Sequence, residues 1–164
     1  DQKEGLPDMV FATDQGIIHG KKVYMSNFRY KERQGEREPY LEWFKDNGYE
    51  INFFPRMAHF EGNGECLFFK DVLFIGIGYR ANMLTCKYFK KALKIEVIPL
   101  ELINPYFYHL DTALFILNSQ TVFYYPQAFS KKSLKVLKKL VPNLIPFSDF
   151  EIRNFAANSV VTDH

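Results

Sequence analysis

The sequence predicts an α/β fold in which one unit, a β-hairpin followed by a helix and a third strand, repeats along the chain. Phe, Tyr and Trp make up 17% of the 164 residues, with 17 Phe and 10 Tyr, and aromatic residues favour strands. Short apolar runs separated by polar or glycine-containing pairs recur, which is typical of hairpins. A segment with helical spacing follows each hairpin, and an apolar run that ends in proline follows each such segment.

The predicted elements come in the same order in all three copies. In the first copy they are a first strand made of the runs 9–11 and 16–18, its partner at 23–25, a helix at 40–47 and a strand at 51–55. In the second they are strands at 66–69 and 72–76, a helix at 82–94 and a strand at 95–99. In the third they are strands at 113–117 and 122–126, a helix at 130–140 and a strand at 143–146, and a fourth copy is predicted to begin at 154–161. This spacing indicates a propeller or an array, whereas the alternative is an ordinary α/β sandwich whose hairpins look alike.

The composition is that of an ordinary globular protein with one domain over residues 1–164: 47% hydrophobic, 24% charged and a net charge of +2. The small net charge argues against a nucleic-acid partner. No apolar run approaches the roughly 20 residues of a membrane span and no signal peptide opens the chain, so no membrane partner is expected. Cys66 and Cys86 lack metal-binding spacing, which favours structural thiols in a cytoplasmic setting. No phosphate-binding loop is present, and no cofactor is predicted.

Acidic residues and histidines recur just before or on the first strand of each predicted hairpin. They are Asp8 and Asp14 in the first copy, His59, Glu61 and Glu65 in the second, and His109 and Asp111 in the third. If the copies surround an axis, these side chains converge in one small volume. Crowded carboxylates repel one another and are costly to remove from water, so such a site requires a cation. Either a metal ion or a guanidinium group, which offers a fixed fork of N–H donors, meets that requirement.

Local patterns add further expectations. The glycine-rich stretch 61–65 is expected to turn sharply with both of its carboxylates exposed. His109 and Asp111 are predicted to lie on one face of an otherwise apolar strand, a pattern that favours function over packing. Arg80 is either an ordinary surface residue or the partner of a substrate carboxylate. The lysines at 131–139 are interpreted as the solvated face of a helix.

Four motifs occur in an order that resembles the guanidino-group-modifying superfamily, in particular its amidinotransferase-like and dimethylarginine dimethylaminohydrolase-like members. They read PDMVF at 7–11, FEGNGE at 60–65, GYR at 78–80 and YHLDT at 108–112. The similarity covers essentially the whole chain. It implies a pseudo-fivefold α/β propeller, the pentein fold, built from ββαβ units. About three units and part of a fourth would lie in this chain, which would make residues 1–164 an incomplete catalytic domain.

The resemblance also implies Cys–His covalent catalysis at the carbon of a guanidinium or amidine group. His109 would be the general acid and base. Asp111 and Glu65 would bind the guanidinium nitrogens. The remaining substrate-binding residues would be Asp8, Asp14, Glu61 and Arg80, with Arg80 on the substrate carboxylate. The substrate could be arginine, methylated arginine, agmatine or another guanidine, and the reaction either hydrolysis or amidino transfer.

Three departures from the family pattern bear on that chemistry. Glu65 stands where the related glycine-rich motif usually carries Asp, and Asp14 stands where amidinotransferase-like members usually carry Asn. The nucleophilic cysteine of the family belongs beyond the end of this chain, and neither Cys66 nor Cys86 occupies its place. We therefore expect the chain to be inactive by itself. The aromatic-rich surface of an incomplete ring would also favour a homo-oligomer.

Two other functions remain open at this point. His109, Asp111 and His164 imitate the ligand set of non-haem metal enzymes. A stoichiometric transition metal in the purified protein would favour that function over guanidine chemistry. The absence of the nucleophile is the natural argument for the other possibility, a non-catalytic binding module with a pentein-like fold.

Overall fold

The computed structural model describes residues 3–162, and these form three successive three-stranded sheets. In each sheet two strands form an antiparallel hairpin, and the third strand runs parallel to the second. The strands are β1 (Gly16–His19), β2 (Lys22–Met25), β3 (Glu50–Asn52), β4 (Cys66–Phe69), β5 (Val72–Ile77), β6 (Glu96–Glu101), β7 (Leu114–Ile116), β8 (Thr121–Tyr124) and β9 (Asn143–Pro146). The helices are α1 (Lys31–Gln34), α2 (Arg37–Asp46), α3 (Gly62–Glu65), α4 (Met83–Leu93), α5 (Lys131–Leu140) and α6 (Asp149–Arg153).

The predicted order of hairpin, helix and third strand is confirmed in all three copies, and the fold is of the mixed α/β class. A helix separates the hairpin from its parallel third strand in each copy, as parallel pairing requires. Asn82 caps α4 by accepting hydrogen bonds from the N–H groups of Leu84 and Thr85, and Ser130 caps α5 through the N–H of Ser133. The count of five units in a closed ring stays a prediction.

Three local predictions were wrong. Residues 9–11 do not form a strand, because the chain makes a 3-10 turn at Pro7–Val10, where proline fixes a helical φ. His109 is extended, but Leu110–Thr112 is also a 3-10 turn, so His109 and Asp111 do not share a strand face. Residues 154–161 contain no strand either, since successive N–H groups after α6 bond back to carbonyls of that helix in tight turns.

The core lies where the sheets pack against the helices and against one another. Four phenylalanines are its largest fully buried side chains: Phe60, Phe74, Phe89 and Phe129. Only Phe74 of these lies in a strand; Phe89 lies in α4, and the other two lie in connecting segments. The aromatic surplus therefore fills the space between elements as well as building strands. No helix in residues 3–162 is both long enough and apolar enough to cross a membrane.

A short helical turn precedes the first strand of every copy and positions the polar side chains. These turns are the 3-10 turn Ala12–Gln15, helix α3 and the 3-10 turn Leu110–Thr112. Helix α3 packs against both of the others, so the three turns meet at one end of the sheets. Gly62 allows this approach: its φ is +49°, and a Cβ there would overlap the Thr13 carbonyl oxygen and the Asp14 backbone.

Substituting Gly62→Ala should therefore separate the turns and lower the free energy of unfolding by about 3 kcal/mol or more, through backbone strain and overlap combined. Gly48→Ala is the matched control, because Gly48 also has a positive φ, +75°, but has no atom near the position of a Cβ. It should cost only about 1 kcal/mol. Urea denaturation of both variants measures the difference, and equal costs would contradict the close contact between α3 and Thr13.

Candidate functional site

Most of the buried polar side chains meet where the three helical turns converge. We call this group the polar cluster, and its members are Asp14, Gln15, Ser26, Arg33, Glu36, Glu61, Glu65 and His109. Thr85 and Ser133 are the other buried polar side chains in residues 3–162. Ser26 ties the first two copies together, because its Oγ donates to the Asp14 carbonyl at 2.5 Å and accepts from the Gly62 N–H at 2.7 Å.

Arg33 is a buried cation of the polar cluster. Its Nε and Nη2 donate to the two oxygens of Glu36, both at 2.9 Å, which is the two-pronged arrangement a guanidinium favours. Its Nη1 donates to Asp14 Oδ2 at 2.8 Å and to Glu61 Oε2 at 3.0 Å. Although burial alone would lower the pKa of Arg33, the hydrogen bonds to Glu36 and Asp14 raise it above its ordinary value.

Glu61 joins all three copies of the repeat. Its side chain is fully buried, and its Oε2 lies 3.0 Å from Arg33 Nη1, 2.9 Å from Arg80 Nη1 and 3.0 Å from His109 Nε2. Burial acts to raise the pKa of Glu61, but the bonds from His109 and Arg80 outweigh it and the pKa is lowered. Glu61 is therefore an ionised acceptor that connects the imidazole to both arginines.

His109 is held as a cation by the carboxylates around it. Burial lowers its pKa, but Glu65, the hydrogen bond to Glu61 and the charge of Asp14 raise it to about 9. The imidazole therefore carries both protons at neutral pH. Gly64 leaves space beside the ring, since a Cβ there would lie 2.9 Å from His109 Nδ1 and 3.0 Å from Asp14 Oδ1.

Glu65 is the second acid that the stretch 61–65 contributes to the polar cluster. It is fully buried, and burial raises the pKa of its carboxyl well above the ordinary value. Oε2 accepts the backbone N–H of Glu61 at 2.6 Å. Oε1 lies 3.1 Å from His109 Nε2 but makes no hydrogen bond within residues 3–162, because Nε2 is directed at Glu61. The carboxylates expected to be exposed in 61–65 are both buried, so that expectation was wrong.

Opposite charges face one another in the polar cluster and at Arg80. The carboxylates of Asp14, Glu36 and Glu61 contact three cations, namely Arg33, Arg80 and His109. Burial raises the pKa of Asp14, while its charge interaction with His109 and its hydrogen bond to Arg33 favour the ionised form. A balanced set of charges lowers the cost of burying so many ionisable groups together.

Asp111 lies next to this arrangement with one oxygen unpaired. Oδ2 accepts a hydrogen bond from Asn158 Nδ2 at 2.9 Å, whereas the buried Oδ1 has no partner among residues 3–162. The residue lines a cavity of about 220 Å³ with apolar neighbours that include Leu114 and Ala157. Burial raises the pKa of Asp111 to about 6, against the lowering effect of His109. An unpaired buried acceptor of this kind is suited to a ligand that brings N–H donors.

The other sequence-predicted residues take different positions. The Asp8 side chain is half exposed, with Oδ2 3.9 Å from Arg33 Nε. Arg80 is largely buried between the rings of Tyr30 and Tyr108, 4.6 and 4.7 Å from their centres, and Nη1 contacts both oxygens of Glu61. In this state a protein carboxylate occupies Arg80, so its predicted contact with a substrate carboxylate stays a prediction.

His59 does not belong to the polar cluster. Its backbone carbonyl accepts from Thr85 Oγ1, and its Nδ1 is buried without a partner in the described part of the chain. The two cysteines are buried, and burial raises the pKa of Cys66 well above its usual range and that of Cys86 to about 11. Both thiols are therefore protonated at neutral pH, as expected for structural residues.

A metal ion would need ligands that other groups already use. Asp14, Glu61 and His109 each offer an atom within 4.8 Å of the others, which is close enough for a shared ion. Arg33 donates to both of these carboxylates, however, and His109 donates to Glu61. Guanidinium groups of the protein itself thus supply the cation that the crowded carboxylates require. His164, the third ligand in the predicted metal site, lies outside the described residues.

Sequence reasoning missed Arg33, Glu36, Tyr30 and Tyr108. Arg33 and Glu36 lie in the segment KERQGERE at 31–38, whose alternating charges are typical of a solvated helix. The available signal was the excess of predicted site carboxylates over predicted cations. It indicated that a cation must lie among them, either a metal ion or a guanidinium group, but not that Arg33 supplies it.

Comparison with known proteins shows which family and which relatives the chain matches. The family model described as "N,N dimethylarginine dimethylhydrolase, eukaryotic" matches residues 1–164. A bifunctional arginine dihydrolase/ornithine cyclodeaminase of Synechocystis is 40% identical over 162 residues, which are 96% of this chain and 23% of that protein. An N(G),N(G)-dimethylarginine dimethylaminohydrolase of Mycobacterium tuberculosis is 35% identical over 156 residues, 95% of this chain and 51% of that protein.

A solved structure matches closely as well. The N-terminal domain of a cyanobacterial arginine dihydrolase, a cysteine-to-serine variant with substrate bound, has a TM-score of 0.94 and 37% sequence identity. The match covers 97% of this chain and 60% of that one. The chain thus spans 23% and 51% of the two curated relatives and 60% of the solved domain.

The raised pKa of His109 predicts a pH dependence of stability. Because the folded state binds the proton more tightly than the unfolded state, this contribution is complete below pH 6.5 and is lost as the pH rises to about 9. The free energy of unfolding should fall by about 3 kcal/mol across that window. His109→Gln should remove the fall, whereas His19→Gln, at an exposed histidine, should retain it. Denaturation at several pH values measures both, and the same slope in His109→Gln would contradict the assignment.

Proposed function

Because the chain belongs to the N,N dimethylarginine dimethylhydrolase family, within the guanidino-group-modifying superfamily, we propose that it supplies the acid–base and substrate-binding groups of a guanidino hydrolase. The substrate class is arginine or methylated arginine. The two relatives named for a hydrolase activity act on arginine and on dimethylarginine, which supports hydrolysis rather than amidino transfer.

The observation that carries the proposal is a buried histidine, bound to Glu61, close to an unpaired carboxylate oxygen of Asp111. Neighbouring carboxylates raise the pKa of His109 to about 9, and Asp111 Oδ1 is a buried acceptor with no partner in residues 3–162. A substrate guanidinium would satisfy Asp111 with its N–H groups and would place its leaving nitrogen near His109. Asp111 would thus bind the ligand, and His109 would supply the acid that protonates its leaving nitrogen.

The reaction proceeds in two steps on this proposal. A cysteine thiolate from outside residues 1–164 attacks the guanidinium carbon, a C–S bond forms, and the bond to the leaving nitrogen breaks as His109 donates its proton to that nitrogen. The amine departs and leaves a thiouronium intermediate and a neutral imidazole. His109 then removes a proton from water, and the resulting hydroxide adds to the same carbon. The C–S bond breaks and releases the thiolate, and the hydroxyl proton of the urea-type product passes to the departed amine, which becomes an ammonium ion.

Further residues have supporting roles. Asp111 and Glu65 bind the guanidinium nitrogens, since Asp111 Oδ1 and Glu65 Oε1 are both buried oxygens without a hydrogen-bond partner in residues 3–162. Asp8, which is half exposed, contacts the outer part of the substrate. Arg80 binds the substrate carboxylate by exchanging part of its contact with Glu61, while Tyr30 and Tyr108 hold its guanidinium plane in place. Asp14 and Glu61 act on the substrate indirectly, through His109. Glu61 binds His109 Nε2, and the charges of both residues raise the pKa of the imidazole.

The assignment predicts that His109→Gln lowers kcat by about 1,000-fold, because the leaving amine and the attacking water both lose their proton-transfer partner. Asp111→Asn should raise KM for the guanidino substrate by about tenfold or more, because a charge-assisted bond is lost. The measurement is release of amine or ammonia from arginine and dimethylarginine by the protein that contains this chain together with the nucleophilic cysteine. His19→Gln, at an exposed site, is the control and should turn over normally.

Undiminished turnover in His109→Gln would contradict the assigned role of the imidazole. A protein that binds arginine but releases neither amine nor ammonia would instead be the non-catalytic binding module. Loss of activity in both variants and in the control would point to a defect in folding, which circular dichroism of the three variants detects directly.

A further inference from the structure

A polar cavity lies beside the polar cluster and contains none of the residues assigned to the reaction. Its volume is about 370 Å³, within the range of about 300–1,000 Å³ that small-ligand sites occupy. We call it the arginine cavity, and its polar lining comprises Ser26, Asn27, Gln34, Arg37, Arg56 and His59. Ser26 is the only one of these that also belongs to the polar cluster. No Asp or Glu lines the cavity, so the fixed charges of its lining are positive.

The two arginines of the cavity have unpaired N–H donors. Neither the Arg37 nor the Arg56 guanidinium forms an ion pair or a hydrogen bond within residues 3–162. The guanidinium carbon of Arg37 lies 5.6 Å from the ring centre of Phe53, and stacking of this kind leaves the N–H groups at the edge of the guanidinium free. Both arginines are exposed, so a dissolved ligand can reach them.

Asn27 fixes the loop that carries Arg56 and His59. Its Nδ2 donates to the carbonyl oxygens of Pro55, Arg56 and Ala58 at 3.1, 2.8 and 3.1 Å. Because one side chain binds three carbonyls of the loop, the backbone at 55–58 is held against the segment that precedes α1. The side chain of Arg56 therefore extends from a fixed backbone, which lowers the entropy cost of binding a ligand there.

His59 adds a ring nitrogen that no group in the described part of the chain satisfies. Its Nδ1 is buried without a partner, although the residue lines a polar cavity. The backbone carbonyl of His59 accepts from Thr85 Oγ1 at 2.6 Å, which helps to hold the residue in place. An unsatisfied buried polar atom is costly, and a ligand oxygen that accepts from Nδ1 would remove that cost.

These donors favour a phosphate group over a carboxylate group. The two oxygens of a carboxylate are satisfied by a single guanidinium fork, whereas the cavity offers two forks and an imidazole nitrogen. A phosphate group presents three strong acceptor oxygens and carries between one and two negative charges at neutral pH. Phe28 and Phe54 complete the lining, so an organic group attached to the phosphate would have apolar rings to contact.

We propose that the arginine cavity binds a phosphate group, with Arg37 and Arg56 neutralising its charge and His59 Nδ1 donating to one of its oxygens. The source of the group is either free phosphate or a small phosphate monoester. The proposal is independent of the hydrolase reaction, because none of these three residues has a part in it.

Isothermal titration calorimetry of the protein that contains this chain, with inorganic phosphate and with phenyl phosphate, tests the proposal. Both probes should bind with a Kd of about 1 mM or lower. If phenyl phosphate binds about tenfold more tightly, because its ring contacts Phe28 and Phe54, the site belongs to a monoester. Equal affinities assign the site to free phosphate, and either result supports the proposal.

Substitutions locate the binding. Arg37→Gln and Arg56→Gln should each weaken the binding of both probes by about tenfold, because a charge-assisted hydrogen bond is lost. His59→Leu should weaken it by about fivefold, because a neutral donor is lost. Arg153→Gln is the matched control, at an exposed arginine of α6 that does not line the cavity. It removes the same charge and should leave both affinities unchanged.

The absence of binding of either probe at about 10 mM would overturn the proposal. An equal loss of affinity in Arg153→Gln and in the two cavity arginine variants would also overturn it, because binding would then follow the net charge and not the cavity. Circular dichroism checks that each variant is folded. If His59→Leu does not fold, Arg37→Gln and Arg56→Gln decide, since their guanidinium groups form no hydrogen bond or ion pair within residues 3–162.

Discussion

The structure depends on one fully buried carboxylate that must be neutralised. Glu61 Oε2 accepts from Arg33 in the first copy of the repeat, from Arg80 in the second and from His109 in the third. No single copy supplies enough positive charge, so the three copies have to meet for Glu61 to be buried. Removing one partner of such a group typically costs about 3–5 kcal/mol, because an uncompensated charge remains in the interior. The same contacts that hold the copies together therefore fix the groups that would perform the reaction.

Much of the fold could be predicted, since the repeat carries local signals. The strands β4 and β9 have the bounds expected from their apolar runs, and Ser130 caps the helix it was expected to cap. The convergence of Asp14, Glu61, Glu65 and His109 also follows from the sequence, because equivalent positions of a repeat meet at the same end of neighbouring sheets. The family resemblance that the four motifs indicated is confirmed by the family model that matches residues 1–164.

The partners of those acids could not be predicted from local pattern. Arg33 lies in a segment of alternating charges, and its burial depends on Asp14 and Glu61, which are distant in sequence. The unpaired oxygen of Asp111 could not be predicted either. It depends on the 3-10 turn Leu110–Thr112, where the alternation of polar and apolar side chains predicted a strand. The contacts that bury Arg33 are long-range, and local propensity does not encode them.

On the proposed function, different cations bind different acids. Arg33 and Arg80 contact carboxylates of the polar cluster, whereas Asp111 Oδ1, which has no partner in residues 3–162, would bind the guanidinium of a substrate. A crystal structure of the protein with L-arginine bound tests this division most directly. We expect the substrate guanidinium within about 3 Å of the Asp111 carboxylate, with Arg33 still bonded to Asp14 and Glu61. A substrate guanidinium bound to Asp14 or Glu61 in place of Arg33, with Asp111 unoccupied, would contradict it.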